Sequence, residues 1–553
     1  MAHVASGLGT KMEPVSVIAA KAVSKKWEGL RFPRMRSIPI SPGRAMNTRT
    51  LLPIALSLTA SVLAGCDSGS PGGAAEDGSG GINVTESRGD SSSTDPTAGT
   101  DGVTTNASTT AAPTTQGPGG TDSMSGGETS ADSTDGTTTG AGESETSAGE
   151  TGCVDAGTAV VDFSYIWIAN STQGTVSKID TQSATEVGRY YIDDYEGVDI
   201  STCQGPSRTS VNLAGNVAVL DRGGGLTTVI ANPAECPDLD VSGSVETAVD
   251  ATPLSWTEDE CIGWHIDIPH SGDGCDGPRT VQWTAPEALG DCQYADPRVW
   301  VAFCNAEDDD VTVWLLDGAD GSVVQETAIP GYACNTYGPY GGAVDADNNL
   351  YFVDRSSGQS LYRVDYDCEQ ADGTDCWTEF PQPEGEDAYG ITIDASGRIW
   401  AAGSGNSLYA FDTATETYTS YQADLDAFFA TGPADANATN ILRGLMADDE
   451  GVLWIAAVPS FGGGDNPGMV RVDPSVDPID IQWFGPNTLT GIQHAAGTSI
   501  DVDGFVWLVD TLGDQAFKID PVAPENHEVV SGLEYPYTYS DMTGFALKQI
   551  LPQ

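Results

Sequence analysis

Four stretches of the chain share one alternation of apolar and polar positions. Each is a short apolar run, a polar turn, and a second apolar run that closes on an aromatic residue. They read Gly341-Gly-Ala-Val-Asp345-Ala-Asp-Asn348-Asn-Leu-Tyr351-Phe, Gly390-Ile-Thr-Ile-Asp394-Ala-Ser-Gly397-Arg-Ile-Trp400-Ala, Gly444-Leu-Met-Ala-Asp448-Asp-Glu-Gly451-Val-Leu-Trp454-Ile and Gly497-Thr-Ser-Ile-Asp501-Val-Asp-Gly504-Phe-Val-Trp507-Leu. One full repeat, residues 389–421, predicts four strands, at 390–394, 399–402, 407–412 and 416–421. Asp can accept from its own backbone two residues on, and Gly tolerates positive φ, so Asp394-Ala-Ser-Gly397 reads as a turn. Ser407-Leu-Tyr-Ala-Phe-Asp412 alternates with the period of two expected of a strand. Four antiparallel strands make a blade. A lone blade leaves both faces bare, so blades must pack around an axis.

Second strands recur at Trp167, Ala218, Trp300, Tyr351, Trp400, Trp454 and Trp507, spaced by 51, 82, 51, 49, 54 and 53 residues. A regular period near 50 residues is the mark of a repeat architecture. The fold class expected is all-β, a seven-bladed β-propeller of four-stranded antiparallel blades. Six or eight blades, or an open sandwich or solenoid of the same hairpins, remain alternatives because the second repeat is degenerate. The long spacing implies a Cys-rich insertion at about 231–292. The first blade begins on a second strand, Tyr165-Ile-Trp-Ile-Ala169, and Gly544-Phe-Ala-Leu547 fits a first strand with no partner after it. The C-terminal strand is therefore expected to complete blade one, which removes unpaired edges.

The N-terminal part changes the address, not the fold. Residues 51–65 are apolar and end in Leu63-Ala-Gly65 before Cys66. This resembles a bacterial lipoprotein signal, too short to span a bilayer as a helix. Met46 fits the start of that signal, so 1–65 is read as a signal region with the lipoprotein signal at 46–65. The basic, acid-poor residues 1–45 leave an organelle transit peptide as the competing reading. Residues 67–152 contain no Phe, Trp or Tyr and one basic residue, Arg88. Such a segment cannot bury enough apolar surface to fold. As a flexible coil it would hold the propeller, 153–553, roughly 50 Å from a lipidated Cys66. The expected location is the cell envelope, lipid-anchored and facing the periplasm or the exterior.

The formal net charge is −57. Nine of the 23 Lys and Arg and two of the 80 Asp and Glu precede Cys66, which leaves 14 basic and 78 acidic residues after it, a net −64. That disfavours nucleic acid as a partner, which needs a basic footprint. It also leaves membrane attachment to the lipid on Cys66. Ten cysteines remain after Cys66: Cys153, Cys203, Cys236, Cys261, Cys275, Cys292, Cys304, Cys334, Cys368 and Cys376. In an exported domain they read as five disulfides, with Cys368 and Cys376 stapling a loop. There is no CxxC pair, and no metal ligand set is assigned.

The repeat around Tyr389-Gly-Ile-Thr-Ile-Asp394-Ala-Ser-Gly397-Arg-Ile-Trp400 resembles that of streptogramin (virginiamycin B) lyase-like propellers, and is similar to NHL-type and SMP-30-type propellers. The resemblance covers about 160–550 and implies the architecture. For activity it implies a metal-dependent opening of a cyclic ester, served by a His and a Glu-x-His pair on inner loops. Glu525-Asn-His527 has that spacing but follows a third strand, on the outer rim. After their second strands the blades carry Asp354, Gly403, Ala457-Val458 and Asp510 where the lyase pattern would place acid or His.

Residues just before each first strand should converge near the axis. Aligned on the turn Asp they are Tyr340, Tyr389, Arg443, Ala496 and Thr543, with His494 two residues before Ala496. Tyr340, Tyr389, Arg443 and His494 form the candidate ligand site. Aromatics supply stacking area and Arg binds oxyanions through two parallel N–H donors. His494 is the candidate catalytic group. Asp345-Ala-Asp347-Asn348 and Asp501-Val-Asp503-Gly504 look like the beginnings of calcium loops but lack the Glu at position twelve, so hairpin turns are expected. The leading expectation is a membrane-anchored, non-catalytic binding or scaffold module for a small molecule, glycan or envelope protein, with no cofactor. The alternative is a metal-assisted lyase or hydrolase working at the central mouth.

Overall fold

The structure, a computed structural model, describes residues 164–198, 200–271, 274–290, 293–294, 296–307, 310–332, 334, 337–355, 359–368, 376–460 and 466–551. The signal region, Cys66, the 67–152 segment, Cys153 and Cys292 lie outside the described residues.

Seven antiparallel sheets follow one another along the chain. Blade 1 holds β1 (Tyr165–Asn170), β2 (Thr175–Asp180) and β3 (Thr185–Tyr191). Blade 2 holds β4 (Pro206–Val211), β5 (Val217–Asp221), β6 (Gly225–Val229) and β7 (Ile262–Asp267). Blade 3 is β8 (Thr280–Trp283), interrupted by the hairpin β9 (Ala288–Gly290) and β10 (Gln293–Tyr294), then β11 (Arg298–Cys304), β12 (Val311–Asp317) and β13 (Val323–Ile329). Blade 4 is β14 (Pro339–Val344), β15 (Leu350–Asp354), β16 (Ser360–Val364) and β17 (Trp377–Pro381). Blade 5 is β18 (Gly390–Ile393), β19 (Arg398–Ala402), β20 (Leu408–Asp412) and β21 (Thr417–Ser420), followed by helix α1 (Gln422–Thr431). Blade 6 is β22 (Asn440–Ala447), β23 (Leu453–Pro459), β24 (Gly468–Asp473) and β25 (Asp480–Phe484). Blade 7 is β26 (Ala495–Ile500), β27 (Val506–Asp510), β28 (Gln515–Ile519) and β29 (His527–Ser531), and helix α2 (Phe545–Gln549) ends the fold. First strands of neighbouring blades touch one another, β4 to β8, β8 to β14, β14 to β18, β18 to β22 and β22 to β26, which sets them around the axis. The protein is a seven-bladed β-propeller.

The expected closure is made by a different segment. Gly544-Phe-Ala-Leu547 is not a strand, because α2 begins at Phe545. Residues 535–542 instead run beside β1: Pro536 bridges Asn170 antiparallel, the Tyr537 amide donates to the Ala169 carbonyl, and the Trp167 amide donates to the Met542 carbonyl at 2.9 Å. The chain then turns at Asp541, whose carboxylate accepts the Gly544 amide at 2.8 Å. α2 stoppers the axis at the turn end, with Gln549 Nε2 on the Ala447 carbonyl at 2.6 Å. Between α2 and strands β14, β18 and β22 remains a space of about 10 Å³, lined by Gly342, Thr392, Met446, Asp541 and Leu547. That is room for a single water.

The stretch 231–292 is not one excursion. It contains the outer strand of blade 2, β7, and the first strand of blade 3, β8. What is inserted is the long connection between β6 and β7, pinned by Cys236–Cys261. Cys275 reaches back to Cys203, Cys304 pairs with Cys334, and Cys368 with Cys376 staples its own short loop. α1 was not anticipated from the sequence. Its Leu425 and Phe429, four apart and both buried, bring it onto the core of blades 5 and 6, with Phe429 5.8 Å from Trp483.

The turn between first and second strands explains the repeated Asp and Trp. In blade 5, Asp394 accepts the amides of Ser396 (2.9 Å) and Arg398 (3.1 Å) and the Trp400 indole N–H (2.7 Å). Asp448 does the same for Glu450, Val452 and Trp454, and Asp501 for Asp503, Phe505 and Trp507. Asp345 accepts the amides of Asp347 and Asn349. These carboxylates are filled by hydrogen bonds of their own turns, as the hairpin reading requires. In blades 1 and 3 the indoles reach the next blade instead, Trp167 to the Gly215 carbonyl and Trp300 to the Asn348 carbonyl.

Candidate ligand site at the axial mouth

At the end opposite α2, first strands begin and second strands finish. Of the four residues expected to meet there, Tyr340, Tyr389 and Arg443 are in contact. Tyr340 and Tyr389 lie edge to face with ring centroids 5.1 Å apart, and the Arg443 guanidinium sits 5.2 Å from the Tyr389 ring. His494 is close enough for Arg443 to act on its charge.

Two other expected positions do not join them. Ala496 packs in the hydrophobic core of blades 1 and 7. Thr543 is at the turn end, donating to the Ile500 carbonyl at 2.6 Å, because the closing segment is 535–542 and runs away from the mouth. The places nearest the axis are taken by Tyr537 and Tyr539, 5.2 Å apart. Tyr539 donates to the Tyr340 hydroxyl at 2.8 Å, and the Tyr389 and Tyr537 hydroxyls are hydrogen-bonded.

Four more arginines enter this aromatic set. Arg208 on β4 lies 3.2 Å from the Tyr539 ring and 5.1 Å from Tyr340. Arg279, just before β8, is 5.0 Å from Tyr340 and 5.1 Å from Tyr337. Arg355, just after β15, is 4.3 Å from Tyr389, and Arg222, just after β5, is 5.1 Å from Tyr537. Guanidinium groups favour the faces of aromatic rings, which carry negative quadrupole density. The floor is closed, with Arg208 1 % and Tyr340 2 % exposed, while Tyr337, Arg355, Tyr537 and His494 are partly exposed. The Gly277 backbone lies against the Arg222 carbonyl so closely that a Cβ would overlap it, which locks the loop after β5 to the start of blade 3. The sequence carried a signal for these residues. Asp221-Arg222 and Asp354-Arg355 both end second strands, and Gly205-Pro206, Gly277-Pro278 and Gly338-Pro339 all lead into first strands.

Charges at the mouth are strongly perturbed. Burial pushes the Tyr340 phenol up, but Arg279, Arg355 and Arg208 outweigh it and bring it down to about 7. Burial holds Tyr389 and Tyr539 well above the ordinary tyrosine value. Burial, helped by Arg443, pushes the His494 imidazole down to about 3, so the ring is neutral at physiological pH.

The acids that end second strands are engaged in the scaffold. Asp221 accepts the Tyr195 hydroxyl (2.7 Å) and the Gly225 amide (2.9 Å), and Asp354 accepts the Tyr332 hydroxyl. Asp510 takes the backbone amides of Gln493 (3.0 Å) and His494 (2.6 Å). It thus holds the His494 backbone, which leaves the imidazole without an acid oriented on it by this contact. His527 sits on the outermost strand of blade 7, against Phe517 and the Pro524 carbonyl. His265 and His270 lie on or just after β7, hydrogen-bonded to Thr227 and to the Gly223 carbonyl. Among the described residues one carboxylate group is compact enough for a metal, Asp238, Asp240 and Glu260. It lies in the blade 2 insertion, away from the mouth, and Glu260 already accepts three backbone amides.

No protein-family profile matches the chain, and no curated protein matches it in sequence. Solved structures do. A virginiamycin B lyase from Staphylococcus aureus, crystallised with quinupristin, matches at 14% identity and TM-score 0.38, over 60% of this chain and 85% of that one. A protein from Lactobacillus plantarum matches at 14% identity and TM-score 0.41, over 68% and 98%. A protein of unknown function from Bacteroides caccae matches at 11% identity and TM-score 0.36, over 56% and 90%. The seven-bladed fold is defined by the order and pairing of its strands.

Proposed function

We propose that this protein is a non-catalytic binding module of the cell envelope, tethered through a lipid on Cys66 and binding its ligand at the axial mouth. The observation that carries this reading is the make-up of the mouth: aromatic faces and guanidinium groups converge there, while the nearby acids Asp221, Asp354 and Asp510 are committed to scaffold hydrogen bonds. Stacking area with a few oriented polar groups is what a binding site needs. As a general base His494 would have to titrate near the working pH, and burial beside Arg443 holds it far below that. Among the described residues no carboxylate oxygen lies within 4.0 Å of the His494 ring nitrogens. The disulfides fit an oxidising compartment outside the cytoplasm, and no described helix is long and apolar enough to cross a membrane.

The test is elemental analysis of the full chain, produced in an oxidising compartment, before and after chelation, beside His494→Ala. The reading predicts no stoichiometric divalent metal dependent on His494, and an unchanged fold after chelation. One metal per chain, lost in His494→Ala, would favour the metal-assisted lyase or hydrolase instead.

A further inference from the structure

Three of the arginines at the mouth, Arg208, Arg222 and Arg279, are buried. Burying a guanidinium without a counter-charge is costly, and buried charges are ordinarily paired. Among the described residues no carboxylate lies within 4.0 Å of the guanidinium groups of Arg208, Arg222 or Arg279. In a chain with 78 acidic and 14 basic residues after Cys66, chance would surround an arginine with carboxylates. Five of those 14 gather here among tyrosines.

The unfilled donors have a definite shape. Arg208 spends Nη1 on the Ser207 carbonyl at 2.8 Å and rests its face on Tyr539, while Nε and Nη2 are buried and have no partner among the described residues. Nε and Nη2 form the side-on edge of a guanidinium, the two parallel N–H donors that match an oxyanion's two oxygens. Arg279 spends Nη1 on the Gly277 carbonyl and Nη2 on the Cys275 carbonyl, and its buried Nε has no partner among the described residues. Tyr340 lies between them, 5.1 Å from Arg208 and 5.0 Å from Arg279.

We infer that the mouth is an oxyanion site, in which the Nε and Nη2 edge of Arg208 and the Nε of Arg279 bind a carboxylate, phosphate or sulfate group of the ligand over the Tyr340 and Tyr539 rings. The inference rests on the mouth being the binding site and adds the chemistry of what it binds. The anion neutralises the buried cations, and the tyrosine rings accommodate the body of the ligand by stacking.

The test uses the full chain and three probes, inorganic phosphate, sulfate and acetate, against chloride at matched ionic strength. Thermal unfolding is followed as each probe is raised, since an anion that binds only the folded state raises the midpoint along a saturation curve. The expected result is saturable stabilisation by at least one probe, and its rank among the three identifies the group the site prefers. In Arg208→Lys, which keeps the charge and loses the two-donor edge, the apparent affinity should fall at least tenfold. Arg279→Lys is the second variant, with a smaller expected loss, and decides the matter if Arg208→Lys does not fold. An equal response in wild type and variants would show a bulk salt effect and overturn the inference, as would no response beyond chloride. A neutral glycan that quenches mouth tyrosine fluorescence while all three anions fail would sink the oxyanion and leave the binding-module reading standing.

Discussion

The two ends of the propeller axis treat buried charge in opposite ways. At the turn end, the buried carboxylates of Asp394 and Asp501 are filled by amides and an indole of their own hairpins. At the mouth, the buried guanidinium groups of Arg208 and Arg279 keep donors without acceptors among the described residues. A fully satisfied buried charge is compatible with a structural role, whereas an unsatisfied one costs stability and persists where something outside the fold uses it. The same repeat thus fills its buried carboxylates at one end and leaves buried guanidinium donors open at the other.

The largest expected effect sharpens the structural side. Trp454→Ala removes a side chain only 2 % exposed and its hydrogen bond to Asp448, and should cost about 3–5 kcal/mol in denaturant unfolding. Asp501→Ala strands the Trp507 indole and two amides, and should cost about 2–3 kcal/mol. A loss below about 1 kcal/mol in either would break the claim that these turns hold the blades together.

The next prediction concerns the mouth and is read by absorbance. With Tyr340 brought down to about 7, a phenolate band near 295 nm should appear in the folded protein around neutral pH and vanish in Tyr340→Phe. Since the folded value lies below the ordinary tyrosine value, this group's contribution to stability is absent below about pH 7 and grows as pH rises toward 10. Oxyanion binding at pH 8 should bleach part of the band, because an external anion replaces the phenolate as counter-charge and Tyr340 takes up a proton.

The last prediction concerns His494 and is confined to acid pH. Its depressed value makes its contribution to stability complete above about pH 6.5 and lost progressively as pH falls toward 3. His494→Ala should therefore flatten the acid side of the stability profile.

Much of this architecture could be read from the chain. The Asp-to-Trp spacing that located the second strands is the same spacing that lets Asp394 accept the Trp400 indole, so a side-chain contact underlies the periodicity. Where a different contact takes over, the reading weakened: Trp167 and Trp300 bond to the neighbouring blade, and their repeats lack the turn Asp. Tyr340, Tyr389, Arg443 and His494 were found by aligning blades on that Asp. Arg208 and Arg279 were missed because blades 2 and 3 have none to align on. Tyr537 and Tyr539 were missed because closure was assigned to Gly544-Phe-Ala-Leu547, which Asp541 and Gly544 start as a helix. Apolar alternation over four residues does not separate a strand from one turn of helix.

The most direct measurement compares Arg208→Met with wild type in denaturant unfolding without added oxyanion, alongside binding of phosphate, sulfate and acetate. Replacing an unpaired buried charge by an apolar chain of similar length should be neutral or stabilising. The account predicts an unfolding free energy within about 1 kcal/mol of wild type or above it, together with loss of oxyanion binding. A variant destabilised as severely as Asp501→Ala, with oxyanion binding retained, would show that Arg208 serves the fold and would contradict the account.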